Sequence, residues 1–446
     1  MAERLSAREI VTALADDATF AELPAPPRQS RPDGPLAWPG YDDSRARAAE
    51  RTGEQESVVC GTARVGGVRA VLIAFEFGFL GGSLGQRTGD RLEAAYTYAR
   101  ERRFPVVPLV ATGGSRMQEG MLALTQLQRV ARQSALTREA GLAQVAVLRD
   151  PTTGGGWATL GAGADVVLAL PGAQVGFAGS RVRPADADPA AYTAEAQVAA
   201  GAADAVVRPQ ELRETLGRWL RLLTCPSTTP APPPEPLGES AVLPVTGWDA
   251  VRRARSPQRS RAAAYLDAYF TERTAISGDR CGGTDPDGML CGFGTHEGRT
   301  VAYAAQTGTA TRPAGYRTAA RLIRLADRLG IPVLTLVDTP GAANDAEAER
   351  QGAGAAIADL FGTVASARTP VTTLVIGEGG SGGALALAAP GNTWATPDSY
   401  FSVIAPELAA AILKRPPREV ESTADQLRIR PQDLVELGVI RGTVGG

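Results

Sequence analysis

The stretch Gly377-Glu378-Gly379-Gly380-Ser381-Gly382-Gly383-Ala384-Leu385 decides the fold, and it directly follows the apolar run 371–376. A β-branched run that ends in glycines and continues into an alanine-rich segment predicts a buried strand, a tight turn and a helix. Glycines allow a sharp turn and let a ligand approach the main chain, and the first turn of a helix leaves N–H groups without acceptors. Such a turn can bind an anion or stabilise a developing oxyanion.

A second copy of this pattern occurs earlier in the chain. Residues 147–158 align with residues 375–386 at an offset of 228, and the preceding segment 104–114 aligns with 331–341 at an offset of 227. An internal duplication explains both alignments, and it predicts two similar units, each with two strand–turn–helix sites. One glycine-rich turn is often structural, whereas two pairs in the same order favour a function.

Length, charge and hydropathy narrow the class of protein. A chain of 446 residues with a net charge of −2 suits two domains and contains no large basic run, so nucleic-acid binding has no electrostatic support. No apolar stretch reaches the roughly 18 residues of a membrane span, and the N-terminus lacks the plan of a signal peptide. We therefore expect a cytoplasmic protein without a membrane partner.

Two scarce residue types restrict the chemistry. His296 is the only histidine and Lys414 the only lysine, and His296 falls in a predicted hairpin turn. A metal site with several histidine ligands is therefore excluded. A phosphate-binding P-loop is excluded as well, because the chain contains no Gly-Lys-Ser/Thr sequence. The four cysteines form no C-x-x-C pair, so neither a zinc ribbon nor a disulfide framework is predicted. Catalysis should rely on main-chain donors and on groups of the substrate or cofactor.

Strands that alternate with helices in each half predict an α/β architecture. The predicted division has four parts: a flexible N-terminal tail (1–32), a first domain (33–224), a proline-rich linker (225–244) and a second domain (245–446). The linker is predicted from its run of prolines, which cannot build a core by itself.

Short motifs follow the order of one known family. They are residues 33–36, 51–53, 79–85, 113–119, 150–155 and 176–179 in the first half, and residues 315–317, 338–342, 377–385, 402–404 with 406–407, and 437–440 in the second. On these residues the chain resembles the carboxyltransferase of acetyl-CoA carboxylase, with bacterial β and α subunits joined in one chain. That family belongs to the crotonase-like superfamily, so the resemblance implies two tandem crotonase-like βαβ-superhelix domains. The β-like half would bind acyl-CoA and the α-like half carboxybiotin.

The resemblance also implies site residues. The thioester oxyanion would be held by Gly154, Gly155 and Gly156, and the ureido oxygen of biotin by Gly382, Gly383 and Ala384. The flanking substrate-binding residues would be Gly81, Gly82, Gly113, Gly114, Gly341 and Ala342. Arg116 would either contact a CoA phosphate or form an ion pair with Glu119. Asp338 and Glu378 are expected to cap helices rather than to act in catalysis.

The reaction implied is transfer of a carboxyl group from carboxybiotin to acetyl-CoA or a related acyl-CoA, which gives malonyl-CoA or a homologue. Carboxybiotin would arrive on a separate biotin carboxyl carrier protein, loaded by a biotin carboxylase, and no metal would take part. The biotin nitrogen can take the α-proton of the thioester, so neither His nor Lys is needed. The chain is expected to form a homodimer, with each active site either within one chain or across the dimer.

Departures from the family pattern leave two alternatives open. The loop after Gly341 lacks the usual Tyr-Pro-Gly, Ala405-Pro406-Glu407-Leu408 replaces Ser-Pro-Glu-Gly, and the four-cysteine zinc ribbon of the β subunit is missing ahead of Asp33. Lys414 does not lie in the Ala-Met-Lys-Met setting of a biotin attachment site. Most departures fall in the α-like half. The alternatives are a biotin-independent decarboxylase of a malonyl thioester and a non-catalytic carboxyltransferase-like subunit.

Overall fold

The computed structural model describes residues 4–29, 31–238 and 242–445. The chain divides into two compact units, Met1–Thr224 and Cys225–Gly446. Each unit has an α/β fold built on one mostly parallel sheet, as the alternation of strands and helices predicts. The two units are described separately below.

Unit 1 contains one sheet and helices packed against it. Its strands are β1 (Ala21–Glu22), β2 (Val58–Val65), β3 (Val68–Phe75), β4 (Val106–Thr112), β5 (Val145–Thr153), β6 (Val166–Ala169), β7 (Val175–Gly176) and β8 (Ala205–Val206). Its helices are α1 (Ala7–Leu14), α2 (Tyr41–Thr52), α3 (Gln86–Arg102), α4 (Gly120–Leu124), α5 (Gln126–Glu139), α6 (Gly154–Gly156), α7 (Ala194–Ala199) and α8 (Pro209–Leu223). The strand order is β1-β2-β3-β4-β5-β6-β8, and β7 pairs with the end of β5.

The central strands of unit 1 are buried on both faces. Strand β4 is buried along its whole length, and β3 is buried from Ala70 to Phe75. Continuous apolar runs of this kind suit parallel strands that have helices on both sides. Helix α3 covers one face and contributes Leu92 and Tyr96 to the main core cluster. This arrangement brings the loops after β4 and β5 to the same edge of the sheet.

Unit 2 repeats this plan. Its strands are β9 (Glu272–Ala275), β10 (Met289–His296), β11 (Arg299–Gln306), β12 (Val333–Thr339), β13 (Val371–Gly380), β14 (Thr393–Ala395), β15 (Tyr400–Ser402) and β16 (Gly442–Thr443). Its helices are α9 (Gly247–Ala254), α10 (Ala262–Tyr269), α11 (Pro313–Leu329), α12 (Ala346–Arg350), α13 (Ala353–Ser366), α14 (Ser381–Leu385), α15 (Pro406–Ile412), α16 (Val420–Gln426) and α17 (Pro431–Glu436). The strand order is β16-β14-β13-β12-β11-β10-β9, and β15 pairs with the end of β13.

Strand pairing reveals the duplication and corrects its register. Thr112 of β4 pairs with Thr152 of β5, and Thr339 of β12 pairs with Gly379 of β13, each directly after an irregularity in the ladder. Thr112 and Thr339 are 227 positions apart, and so are Thr152 and Gly379. The sequence offset of 228 for the second segment is therefore wrong by one residue. Because the spacing is 227, Gly154 of unit 1 corresponds to Ser381 of unit 2.

The described part of the predicted N-terminal tail, residues 4–29, is folded onto unit 1 rather than flexible. Ser6 caps α1 through a capping box with Glu9, and the helix buries Ile10 and Leu14 against the first sheet. Arg8 also pairs with the buried carboxylate of Glu54. A helix of eight residues is too short to be stable alone, so packing of its apolar face fixes it in unit 1.

The proline-rich segment is likewise part of a folded unit. Ala231 is buried in the core cluster of unit 2, and the hydroxyl of Tyr269 donates a hydrogen bond to the carbonyl of Pro232 at 2.9 Å. Further along, the Leu237 amide donates to the Tyr265 hydroxyl at 3.1 Å. The prolines build no core of their own, but they offer apolar surface and carbonyl acceptors to α10. Residues 239–241 of the predicted linker lie outside the described residues.

The only histidine lies at the end of a hairpin, as predicted. His296 is the last residue of β10, and Glu297 and Gly298 join it to β11. Its ring stacks on Tyr269 with centroids 3.7 Å apart, and Nδ1 lies 2.7 Å from the Tyr269 carbonyl oxygen. These contacts fix the ring at the edge of unit 2.

Candidate active site

Two glycine turns of unit 1 meet at the edge of the sheet. A Cβ atom added to Gly154 would lie 3.3 Å from the Cα atom of Gly114. Gly154 has φ +63°, a left-handed conformation that glycine adopts without strain. Its N–H, however, donates to the carbonyl of Phe177 at 3.1 Å. The prediction that Gly154 supplies an oxyanion donor is therefore wrong, and this residue turns the chain so that Gly155 and Gly156 follow.

A third glycine turn supports the first two. The Gly113 amide donates to the carbonyl of Gly81 at 2.9 Å. Gly82 has φ +62°, and a Cβ atom there would lie only 2.1 Å from the carbonyl oxygen of Ala111. Gly114 donates to the Thr112 hydroxyl at 3.0 Å. The predicted residues Gly81, Gly82, Gly113 and Gly114 thus come together, but the amides of Gly113 and Gly114 are used internally.

Arg116 is not placed to bind substrate. Its side chain is 1% exposed, and its guanidinium donates to Glu56 Oε2 at 3.1 Å and to the Ser83 carbonyl at 2.7 Å. It also lies 3.7 Å from Glu119, so the predicted ion pair is present as a secondary contact. Burial alone would raise the pKa of Glu56, but the Arg116 charge holds that pKa below its ordinary value. The CoA-phosphate role predicted for Arg116 is therefore wrong.

The turns of unit 2 have a matching geometry. Ser381 has φ +58°, an uncommon value for a residue with a side chain, at the position equivalent to Gly154. Gly341 donates to the Thr339 hydroxyl at 3.1 Å, as Gly114 does to Thr112 in unit 1. A Cβ atom on Gly383 would lie 2.5 Å from the Ala342 amide nitrogen. The predicted residues Gly341, Ala342 and Gly383 therefore lie on adjoining turns.

A buried glutamine anchors the second turn. The side-chain amide of Gln306, at the end of β11, donates to the carbonyl of Gly383 at 3.0 Å. Gln306 is fully buried, as is Tyr316, whose hydroxyl would lie 2.6 Å from a Cβ atom on Gly383. Gln306 was not among the site residues predicted from the sequence. Its partner is 77 residues away, so no local pattern identifies the contact.

Asp338 is a structural carboxylate rather than a cap. It is fully buried and accepts two hydrogen bonds from Arg259, at 2.8 and 2.9 Å. It also accepts one from the Glu378 amide at 3.2 Å, so it ties the end of β12 to the end of β13. Glu378 pairs with Arg255 at 2.8 Å and accepts from the Tyr400 hydroxyl at 2.9 Å. Neither carboxylate caps a helix, and the expected capping role is wrong for both.

The arrangement leaves amide groups available at the turns. Among the described residues, the amides of Ser115 and Ala342 donate to no acceptor, and these residues are 227 positions apart. Gly155 and Gly156 lie in the first turn of α6, and Gly382 and Gly383 in the first turn of α14, where amides lack intrahelical acceptors. Ala384, predicted as the third donor, lies one position deeper in α14. Each unit therefore offers a set of main-chain donors suited to a developing oxyanion.

The residues that the structure describes lack two kinds of feature. They contain no group of three or more His, Cys, Asp or Glu side chains arranged to bind a metal ion. Within the same ranges, no helix combines the length and the hydropathy needed to cross a bilayer.

Two family profiles together match most of the chain. Residues 37–203 match the family described as "Carboxyl transferase domain". Residues 237–445 match the family described as "Acetyl co-enzyme A carboxylase carboxyltransferase-like". The two matches fall on unit 1 and on unit 2, respectively.

Whole-chain relatives carry related names. The chain is 38% identical to the acetyl-coenzyme A carboxylase carboxyl transferase subunits beta/alpha of Saccharopolyspora erythraea, over 91% of this chain and 75% of that protein. It is 34% identical to a probable biotin-dependent acyl-coenzyme A carboxylase beta3 subunit of Mycobacterium bovis, over 91% of this chain and 84% of that protein. Among solved structures, transcarboxylase 12S with hydrolysed methylmalonyl-coenzyme A bound is similar, with a TM-score of 0.80 and 20% identity, over 99% of this chain and 87% of that one. This likeness shows the crotonase-like fold.

Proposed function

Because the chain belongs to the carboxyltransferase family of biotin-dependent acyl-CoA carboxylases, we propose that it transfers a carboxyl group from carboxybiotin to acetyl-CoA or a related acyl-CoA. The product would be malonyl-CoA or a homologue. The observation that carries the proposal is the pair of equivalent turns, each with main-chain donors left available by the fold.

Unit 1 would hold the thioester. The amides of Ser115, Gly155 and Gly156 would donate to the carbonyl oxygen of the acyl group as it gains negative charge. Gly114 and Gly154 keep the two turns in contact, and the Phe177 carbonyl fixes Gly154 in place. Main-chain donors of this kind do not change their protonation state, so they can stabilise charge without taking up a proton.

Unit 2 would hold the ureido group of biotin. Ala342, Gly382 and Gly383 would donate to the ureido oxygen, and Gln306 would keep the Gly383 peptide in the required orientation. Carboxybiotin supplies the carboxyl group and a nitrogen that can accept the α-proton of the thioester. No histidine or lysine is then required, which agrees with the single copy of each in the chain.

The proposed reaction needs partners. A biotin carboxyl carrier protein would deliver carboxybiotin and a biotin carboxylase would load it. The name of one relative, which contains the term biotin-dependent, supports a role for biotin. We also propose that the chain acts as a homodimer in the cytoplasm. No metal is assigned to the reaction.

The direct test supplies the purified chain with acetyl-CoA, carrier protein, carboxylase, ATP and bicarbonate. Formation of malonyl-CoA that requires both partners supports the proposal. Release of CO2 from malonyl-CoA by the chain alone would favour a biotin-independent decarboxylase instead. Failure to bind acetyl-CoA in calorimetry would favour a non-catalytic subunit.

A further inference from the structure

A cavity of about 400 Å³ in unit 1 carries an excess of positive charge. Helix α2, the first residues of α3 and the segment before α2, through residues 28, 29, 31, 34 and 35, contribute to its walls. Its wall contains one carboxylate, Glu119, and the four arginines Arg28, Arg31, Arg45 and Arg87. This charge balance differs from that of the whole chain, whose net charge is −2.

The carboxylate of Glu119 is already occupied. It accepts hydrogen bonds from the Tyr41 hydroxyl and from the Gln86 amide, both at 2.6 Å, and it lies 3.7 Å from the buried guanidinium of Arg116. One arginine of the wall is also neutralised, because Arg28 donates to Asp90 at 2.8 Å. Glu119 therefore does not cancel the charge of the other three arginines.

The guanidinium groups of those three arginines lack close acceptors. The side chains of Arg31 and Arg87 form no hydrogen bond or ion pair with any residue that the structure describes. Arg45 comes no nearer than 3.7 Å to Asp42, and its Nε atom is buried without an acceptor. Cationic groups that surround one cavity repel each other, and a buried donor without a partner is unfavourable. A bound anion would relieve both penalties.

We propose that this arginine cavity, defined by Arg31, Arg45 and Arg87, binds the phosphate groups of coenzyme A. Planar guanidinium groups bind phosphate through paired hydrogen bonds, and coenzyme A carries a pyrophosphate and a 3′-phosphate. The cavity also adjoins the glycine turns, because Leu84, whose amide donates to Gly114, lies two residues before Gln86 of the wall. The inference rests on the proposed function only in naming CoA as the source of the phosphate.

The first test compares two ligands by isothermal titration calorimetry. The double variant Arg31→Gln/Arg87→Gln should bind acetyl-CoA about tenfold more weakly than wild type, or worse, because it loses two charge-assisted contacts. Binding of acetyl-pantetheine, which lacks the nucleotide and its phosphates, should be the same for both proteins. Arg47→Gln is the matched control, because Arg47 is an exposed arginine of α2 outside the cavity wall. Unchanged acetyl-CoA affinity in the double variant would overturn the proposal.

A second arm separates CoA from a free phosphoanion. Inorganic pyrophosphate should compete with acetyl-CoA for the wild-type chain and bind the double variant more weakly. Arginine-dependent binding of pyrophosphate without competition would overturn the assignment to CoA. Neither measurement requires carboxyl transfer. Arginine-dependent binding of acetyl-CoA by a chain that fails to make malonyl-CoA would therefore support the cavity and refute the proposed function.

Discussion

Gly114 and Gly154 lie so close that a methyl group on Gly154 would sit 3.3 Å from the Cα atom of Gly114. This contact joins the turn after β4 to the turn after β5. The two turns belong to different βα connections, and in unit 1 their close approach leaves little room for a side chain at Gly154. The proposed donors Ser115, Gly155 and Gly156 all lie on these two turns.

The variant Gly154→Ala should lose most of its turnover. The new methyl group would crowd Gly114, and the left-handed φ of +63° adds a cost of about 1–2 kcal/mol for a residue with a Cβ atom. A small displacement of the turn should lower kcat/KM by about 100-fold. Steady-state carboxylation of acetyl-CoA measures the effect.

Gly172→Ala is the matched control for this variant. Gly172 has φ +66°, but a Cβ atom there would meet nothing within 4 Å. Its stability should therefore fall by a similar amount while its turnover stays near that of wild type. Equal turnover in Gly154→Ala and Gly172→Ala would contradict the role of the Gly114 contact.

The variant Gln306→Leu should lose activity with only a modest loss of stability. It removes the hydrogen bond to the Gly383 carbonyl, which costs about 1–2 kcal/mol, and it frees the peptide that carries a proposed donor. We expect kcat to fall about tenfold. Gln432→Leu removes a similar bond, to the Pro244 carbonyl at 2.7 Å, and should keep normal kcat. Similar kcat values for the two variants would rule out a positioning role for Gln306.

The ion pair between Glu56 and Arg116 should make stability depend on pH in acid. The pKa of Glu56 is lowered in the folded state from an ordinary value of about 4.5. The group therefore contributes stability that is present above that value and is lost as the pH falls through the folded pKa. Urea unfolding between about pH 7 and pH 3 measures this loss.

Glu56→Gln should be less stable than wild type at neutral pH by about 3–5 kcal/mol, because the buried Arg116 charge loses its partner. The stability of this variant should also change less with pH in the acid range. Glu50→Gln, at an exposed acid of α2, should follow the wild-type curve. A Glu56→Gln curve parallel to that of wild type would show that Glu56 does not cause the acid dependence.

The sequence predicted the architecture and most positions of the turns, because glycines after apolar runs mark βα connections directly. It did not predict the register of the second turn. Sequence similarity aligns Gly154 with Gly382. The strand pairing within each unit instead makes Ser381 the equivalent of Gly154, and this serine adopts a left-handed conformation. A rare conformation at a non-glycine residue has no clear signature in sequence.

Long-range contacts account for the other differences. Arg116 was predicted as a possible phosphate ligand because it follows a glycine turn. Its actual partner, Glu56, lies 60 residues earlier in the chain. Gln306 was missed for the same reason. The N-terminal helix and the proline-rich segment were predicted as a flexible tail and a linker. The surfaces that they cover are formed by strands and helices distant in sequence, so local sequence does not reveal their packing.

Carboxyl transfer by variants of the two turns tests the central claim most directly. Malonyl-CoA formation from acetyl-CoA, with carrier protein and carboxylase present, would be measured for wild type, Gly154→Pro and Gly383→Pro. Proline would distort the first turn and remove a donor from the second, so we expect product from wild type and none from either variant. Near-normal malonyl-CoA formation by either variant would contradict the claim that the main chain of both units stabilises the reacting oxyanions.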